Sequence, residues 1–299
     1  MTYSEIWHRI ATSYDDGEAR AIARILIEEL FGLSYTDIVC GATDQLSADD
    51  TLRLDTAVRR IEQGEPLQHV LGYADFCGNR FCVNGSVLIP RPETEWLVDE
   101  GAKLMDGCIA SDKTQHKAPH SPKRILDIGT GSGCIAISLK LRLGDAYVEA
   151  WDISEEALRT AQDNADALKA EVVFRKRDAL RADNTAAPWD LIVSNPPYIC
   201  DSERSAMDDN VLLHEPHTAL FVPDDDPLRF YRAIARYALL TLNIGGSLLF
   251  ECNTRYAEAT GTMLSDMGFE EVTISDDCFN LPRFVRGTSP SQPSPSGRA

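Results

Sequence analysis

Residues 195–198 read Asn-Pro-Pro-Tyr and follow the apolar run "DLIVS". Two consecutive prolines stop a helix and exclude a central strand. A buried strand therefore ends on a stiff corner that carries an amide. Asn195 offers its side-chain carbonyl and Pro196 its backbone carbonyl. Those are two acceptors for the two N–H bonds of a planar amide or amine. Such a nitrogen is a poor nucleophile because its lone pair is delocalised. Strong acceptors push density back onto it and hold it in place, so positioning and preorganised electrostatics supply the catalysis. Tyr198 can stack on the planar group, and Pro196-Pro197 limit the entropy lost on binding.

A second group of residues can hold a ligand near that corner. Residues 126–133 read "LDIGTGSG", with Gly129, Gly131 and Gly133 between a strand pattern and a helix pattern. A glycine-rich turn lets backbone approach a ligand where Cβ atoms would clash. Nucleotide-type ligands bind at the carboxyl ends of such strands. The spacing is neither the dinucleotide G-x-G-x-x-G nor a phosphate loop. Asp127 repels phosphate and suits a sulfonium or amino group. Asp152 ends the next strand, 19 residues past Gly133, where a carboxylate can accept both ribose hydroxyls. Asp178 ends the third strand, where it can accept the exocyclic amine of an adenine, and Ala179 follows it.

The elements that position these groups alternate. "RILDIG", "AYVEAWDI", "EVVFRKR", "DLIVS" and "GSLLFEC" read as strands separated by helical stretches, and "EEVTISDD" and "PRFVRG" close the series without a helix between them. The fold class is α/β, a mostly parallel sheet covered on both faces with an antiparallel hairpin at one edge. Residues 1–72 read as a small helical domain. Ala19, Ile22 and Leu26 recur at helical spacing, as do Leu54, Val58 and Ile61, with Ser47 as a cap. Residues 73–90 change to a strand period, with Gly78-Asn79 and Asn84-Gly85 as turn dipeptides, so a β-hairpin linker is expected there. The main domain runs over 91–286, its first helix opened by Pro92 with Glu93 and Glu95 complementing the dipole. Residues 107–123 read as a surface insertion, and 287–299 as a disordered Ser/Pro-rich tail.

Composition narrows the class. The 299 residues carry a formal net charge of −18, with 43% hydrophobic and 25% charged residues. That balance fits a soluble globular protein and opposes non-specific attraction to nucleic acid. "RKR" at 175–177 reads as a solvated strand end. No apolar stretch is long enough for a membrane span, and the N-terminus lacks the basic-then-apolar order of a signal peptide. Eight cysteines without a CxxC pair point to a reduced, cytoplasmic protein and not to a zinc site. His8, His69, His116 and His120 are read as packing or surface residues.

The order of Gly loop, Asp152, Asp178 and "NPPY" resembles the class I S-adenosylmethionine methyltransferases over residues 124–286. NPPY resembles the [ND]-PP-[YFW] motif of enzymes that methylate planar nitrogens. "GEPLQHVLG" at 64–72, "LIPRPETEWLV" at 88–98, "VSNPPYI" at 193–199, "EPHTAL" at 215–220 and "RFV" at 283–285 stand in one order. As a set they resemble the release factor glutamine methyltransferase family, also called PrmC or HemK, from about residue 1 to 286. The resemblance implies a Rossmann-like seven-stranded domain and methyl transfer from S-adenosylmethionine to the amide nitrogen (N5) of the glutamine in the Gly-Gly-Gln loop of peptide chain release factors. It implies that Gly129, Thr130, Gly131, Ser132, Gly133, Asp152, Asp178, Ala179 and Asn195 contact the cofactor. It assigns the glutamine to Asn195, Pro196, Pro197 and Tyr198. Relatives often have an aromatic residue where this chain has Ala179. Glu215-Pro216 is expected over the pocket. The alternatives are a ribosomal-protein glutamine methyltransferase, an amino-methyltransferase acting on nucleic acid, and a cofactor-binding module that docks on translation factors without transferring a methyl.

Overall fold

Alternation along the strands decides where the large side chains go. In the computed structural model, which describes residues 1–110, 122–182 and 188–291, seven strands form one sheet in the order β10-β11-β9-β6-β3-β4-β5. They are β3 (Arg124–Ile128), β4 (Tyr147–Asp152), β5 (Val172–Lys176), β6 (Trp189–Ser194), β9 (Leu242–Glu251), β10 (Glu270–Asp276) and β11 (Pro282–Thr288). Successive side chains leave opposite faces. Leu191 and Val193 of β6 enter one core with Ile125 and Leu249. Ile192 enters the other with Leu126, Leu248 and Phe250. A strand buried on both faces reads as a continuous apolar run, as "DLIVS" does.

Helices supply the other half of each core. Leu97 and Val98 of α6 (Glu95–Ala110) and Ile135 and Leu139 of α7 (Cys134–Leu143) cover the first face. Ala165 of α8 (Glu155–Leu168) joins them. Tyr231 and Ile234 of α11 (Arg229–Thr241) and Leu264 of α12 (Ala257–Met267) cover the second. Strands β3 to β6 and β9 pair in parallel, and β11 is antiparallel to both β9 and β10, as the closing strand pair implied. The chain runs β3, β4, β5 outward in one direction. It then returns to place β6 on the other side of β3. That reversal opens a crevice at the carboxyl ends of β3 and β6, the usual ligand site of such sheets.

The helical unit stands on its own core. Its helices are α1 (Tyr3–Ile10), α2 (Asp16–Phe31), α3 (Tyr35–Val39), α4 (Ala48–Glu62) and α5 (Leu67–Leu71). Ile6, Ile10, Leu26, Ile27, Leu54, Val58 and Ile61 are all fully buried there. Asp15 caps α2, accepting from the Gly17 and Glu18 N–H groups, and Ser47 caps α4, accepting from Asp50. The Arg9 guanidinium joins α1 to α4, at 2.7 Å from both Asp55 and Glu62.

Three features depart from the sequence reading. Residues 83–85 and 206–215 pack with the helical unit, the latter carrying α9 (Asp209–His214), while the hairpin residues 74–82 pack with the sheet unit. The hairpin, β1 (Tyr73–Phe76) and β2 (Asn79–Cys82), turns on Cys77 and Gly78, one residue earlier than the Gly78-Asn79 dipeptide implied. Both turn residues have positive φ, +48° and +72°, the geometry that suits the strand twist. The chain also stays ordered past 287. β11 runs to Thr288, and the Ser289 N–H donates to the Gly246 carbonyl at 2.8 Å. The expected insertion falls largely outside the described residues, as do residues 292–299 of the expected tail. Among the described residues, no helix is long and apolar enough to cross a membrane.

Gly133 is the tightest glycine of the sheet unit's ligand-facing end. Its φ is +82°, and an added Cβ would lie 2.9 Å from Ile137 Cδ1 and 3.1 Å from Ala161 Cβ. Gly133→Ala is expected to cost about 2–4 kcal/mol from left-handed backbone strain and overpacking together. Urea unfolding of the two proteins measures it, and an unchanged midpoint would contradict the packing described.

Candidate active site

The crevice begins where β3 and β6 end side by side. Ile128 pairs with Ser194 in the parallel register, and the Ser194 hydroxyl donates to the Ile128 carbonyl at 2.6 Å. The next residue of one strand is Gly129 and of the other Asn195. Both line a cavity of about 340 Å³. Gly131, Asp152, Asp178, Ala179, Pro196 and Pro197 line it too, so eight of the twelve cofactor and substrate candidates converge there.

The acidic strand ends shape the loop as well as the cavity. Asp152 Oδ2 accepts the Gly131 N–H and Oδ1 the Ser154 N–H, both at 2.9 Å. A carboxylate has about four acceptor sites, so two remain for hydroxyl donors. Burial raises the Asp152 pKa, and its backbone hydrogen bonds work against that rise. Asp178 caps a short turn through the Leu180 N–H at 2.9 Å. Ile153, Ala157 and Leu180 give the cavity wall between these carboxylates its apolar character.

Beneath the loop lies Asp127, fully buried. Its Oδ2 accepts the Thr130 hydroxyl at 2.6 Å. The Ala136 N–H approaches the carboxylate, yet Oδ1 has no hydrogen bond of good geometry. Burial pushes this carboxyl up to about 7, opposed by Thr130 and Ala136 and reinforced by Asp152. Thr130, Ser132 and Gly133 themselves do not line the cavity. Thr130 and Ser132 are buried and Gly133 starts α7, so these three hold the loop's shape.

Tyr198 is placed away from the cavity. Its hydroxyl donates to Glu251 Oε1 at 3.4 Å, and its ring packs against the core that holds Tyr231 and Phe250. Burial raises its pKa, and the neighbouring Glu251 adds to that. Aromatic and apolar lining of the cavity comes instead from Phe221 and Phe230, together with Pro216 of the expected Glu215-Pro216 pair. Phe221 is brought there by a short parallel pair, β7 (Ile199–Cys200) with β8 (Phe221–Val222), just after α10 (His217–Leu220).

Three supporting residues escaped the sequence reading. Asn164 of α8 is buried and donates Nδ2 to the Cys82 and Ser132 carbonyls while accepting the Cys82 N–H at 2.7 Å. It ties the hairpin to the glycine loop. Thr94, buried, lies next to Asn195, and Glu251, also buried, lies against Thr94. Asn195 Nδ2 is 3.4 Å from Thr94 Oγ1, whose hydroxyl donates to Glu251 Oε2 at 2.7 Å. An acid closing the apolar run "GSLLFE" was the available signal for Glu251. Of the charges around Thr94, Glu95 accepts the Cys77 N–H at 2.7 Å and so anchors the hairpin. The basic run at 175–177 is largely neutralised, with Arg175 3.0 Å from Glu149 and Lys176 2.7 Å from Glu155.

A release factor glutamine methyltransferase of Bacteroides thetaiotaomicron is 43% identical over 273 residues, 91% of this chain and 93% of its own. The chain belongs to the release factor glutamine methyltransferase family. It is a methyltransferase. The Flavobacterium psychrophilum relative of the same name is 37% identical over 93% of this chain and 94% of its own. Residues 8–72 match the PrmC N-terminal domain and residues 96–220 the methyltransferase small domain. Among solved structures, the hMettl16 catalytic domain in complex with the MAT2A 3′UTR hairpin 6 is similar, with a TM-score of 0.53 and 16% identity. The likeness covers 83% of this chain and 84% of that one and concerns the fold alone.

Asp127 gives the methyltransferase a pH-dependent stability. The unfolded carboxyl titrates near 4, whereas the folded one holds its proton to about 7. The folded state therefore binds more protons between those values, and stability falls as pH rises through that window. The loss is on the order of 4 kcal/mol at about 1.4 kcal/mol per pH unit. Asp127→Asn removes it. Relative to the wild type, its Tm is expected to gain between pH 5 and pH 8, and parallel Tm curves would contradict the assignment.

Proposed function

We propose that this methyltransferase moves the methyl group of S-adenosylmethionine to the side-chain amide nitrogen of the glutamine in the Gly-Gly-Gln loop of peptide chain release factors. The observation that carries the reading is Asn195 at the switch point of the sheet. Its Nδ2 is taken up by Thr94 and its carbonyl oxygen is left to accept. The names of the relatives and their near full-length match support the same substrate. The seat of the reaction in this reading is the cytoplasm.

The residues present fit this cofactor. Gly129 and Gly131 have φ of +78° and +54°, and a Cβ on Gly131 would meet no atom within 4 Å. Gly131 lines the cavity, so the space its missing side chain leaves is ligand space. Asp152 has acceptor sites left for ribose hydroxyls, and Asp178 with Ala179 and Leu180 forms the end suited to an adenine. The carboxylates suit a cationic ligand and disfavour phosphate. When bound, S-adenosylmethionine supplies a methyl group activated by a sulfonium.

The chain's own part in the reaction is positioning. Asn195 Oδ1 and the Pro196 carbonyl accept the two N–H bonds of the glutamine amide. They hold the nitrogen in line and strengthen its lone pair as positive charge develops there. The methylated nitrogen is acidic and releases a proton through the same acceptors. Pro196 and Pro197 keep this corner stiff in the free enzyme, so little order is lost on binding. Phe221, Phe230 and Pro216 give the same cavity apolar walls, which disfavour water beside the reacting groups.

The test is transfer of labelled methyl to a purified release factor beside its loop Gln→Ala variant. Label is expected on the first only, and equal labelling of both would refute the reading. Asn195→Ala is expected to lower kcat by about 100-fold or more, the size of losing one preorganised transition-state contact. Its affinity for S-adenosylhomocysteine should stay within a few-fold of the wild type. A variant with unchanged kcat would remove Asn195 from the mechanism.

A further inference from the structure

An asparagine amide serves as an acceptor only if its oxygen faces the substrate. Oxygen and nitrogen are nearly equal in size, so packing alone does not choose between the two orientations. Hydrogen-bond chemistry around Asn195 does choose. The Thr94 hydroxyl has one proton, and that proton points to Glu251 Oε2 at 2.7 Å. Towards Asn195, 3.4 Å away, Thr94 Oγ1 can therefore only accept. An acceptor there demands the NH₂ side of the amide and turns the carbonyl to the opposite side.

Glu251 makes that choice firm. It ends β9 with 1% of its surface exposed, and Thr94 is 3% exposed. Neither group has bulk water as an alternative partner. The second Glu251 oxygen, Oε1, accepts from Tyr198 at 3.4 Å. Both oxygens thus receive hydroxyl protons, the pattern of an acceptor carboxylate. Burial raises the Glu251 pKa on balance, with Glu93 adding to the rise, while the hydrogen bonds from Thr94 and Tyr198 and the charge of Arg283 oppose it. The acceptor role rests on the two hydroxyl contacts. Thr94 is itself held by the short turn Pro92–Thr94, where its N–H donates to the Arg91 carbonyl at 3.1 Å. Tyr198 and Asn195 belong to one motif, and Glu251 engages Tyr198 directly through Oε1 and Asn195 through Thr94 at Oε2.

We propose that Thr94 and Glu251 are positioning residues that lock the Asn195 amide with its oxygen towards the nitrogen to be methylated. This rests on the glutamine-methylation reading. It assigns Tyr198 to the same lock, where family resemblance had placed it against the substrate. A glutamine at 251 would reverse the polarity. Its NH₂ can donate to Thr94, which frees the hydroxyl proton to face Asn195 and accommodates the flipped amide.

The test measures steady-state methylation of a release factor by wild type, Thr94→Ser, Thr94→Val and Glu251→Gln. S-adenosylhomocysteine affinity and Tm are measured on each. Thr94→Val keeps the shape and removes the acceptor. It is expected to lower kcat by about 10- to 100-fold, the scale of a misplaced reacting group. KM and S-adenosylhomocysteine affinity should stay within about three-fold, the signature of a contact made only in the transition state. Thr94→Ser should restore kcat to within about three-fold of wild type, since the hydroxyl is the working atom. Glu251→Gln, nearly isosteric, should lower kcat while cofactor affinity holds. Wild-type kcat in Thr94→Val, or equal losses in Thr94→Ser and Thr94→Val, would overturn the lock. So would a fall in Tm and cofactor affinity that accounts for the whole loss. An inactive wild type in the same assay would instead overturn the glutamine reading beneath it.

Discussion

The parallel pairing of β3 with β6 is the constraint on which the site depends. These strands are sequence-distant, and the chain reverses its order of strand placement between them. Their ends are set level by the Ile128–Ser194 register and tied by the Ser194 hydroxyl. One strand therefore releases a glycine loop and the other a stiff amide corner at the same height. A register shift of one residue would turn Asn195 to the other face of the sheet. The two cores enforce the register, because each strand's alternate side chains belong to opposite cores.

Carboxylates collect at this end of the sheet under unlike conditions. Asp127 is fully buried and shifted by burial to about 7. Asp152 is held by two backbone N–H groups and lines the cavity. Glu251 is buried and receives two hydroxyls. Asp127 supports the loop from below, and in the reading proposed above Asp152 meets ligand hydroxyls and Glu251 orients the amide. Of the acids here, Asp152 lines the cavity together with Asp178, and this pair disfavours an anionic ligand, in keeping with the cationic methyl donor proposed above.

Much of this was legible in the chain. Strand ends announce themselves as apolar runs closed by Gly, Asp or Asn, so Gly129, Asp152, Asp178 and Asn195 could be ordered around a site before any coordinates. What stayed hidden depends on contacts distant in sequence. Thr94 and Glu251 are separated by 157 residues, and Asn164 and Cys82 by 82. Tyr198 follows the proline pair and looks like a stacking platform, yet burial beside Glu251 draws it inward. The turn on Cys77 and Gly78 needed a positive φ from a cysteine, which propensity does not anticipate. Residues 206–215 join the helical unit from within the catalytic stretch, and no local pattern marks that return.

The central claim is that the Asn195 carbonyl, and not its NH₂ group, meets the substrate nitrogen. A crystal structure of the protein with S-adenosylhomocysteine and a glutamine-containing release factor tests it most directly. The account predicts the glutamine Nε2 within about 3 Å of both Asn195 Oδ1 and the Pro196 carbonyl, with Asn195 Nδ2 still turned to Thr94. A glutamine amide bound elsewhere, or one whose oxygen accepts from Asn195 Nδ2, would contradict it.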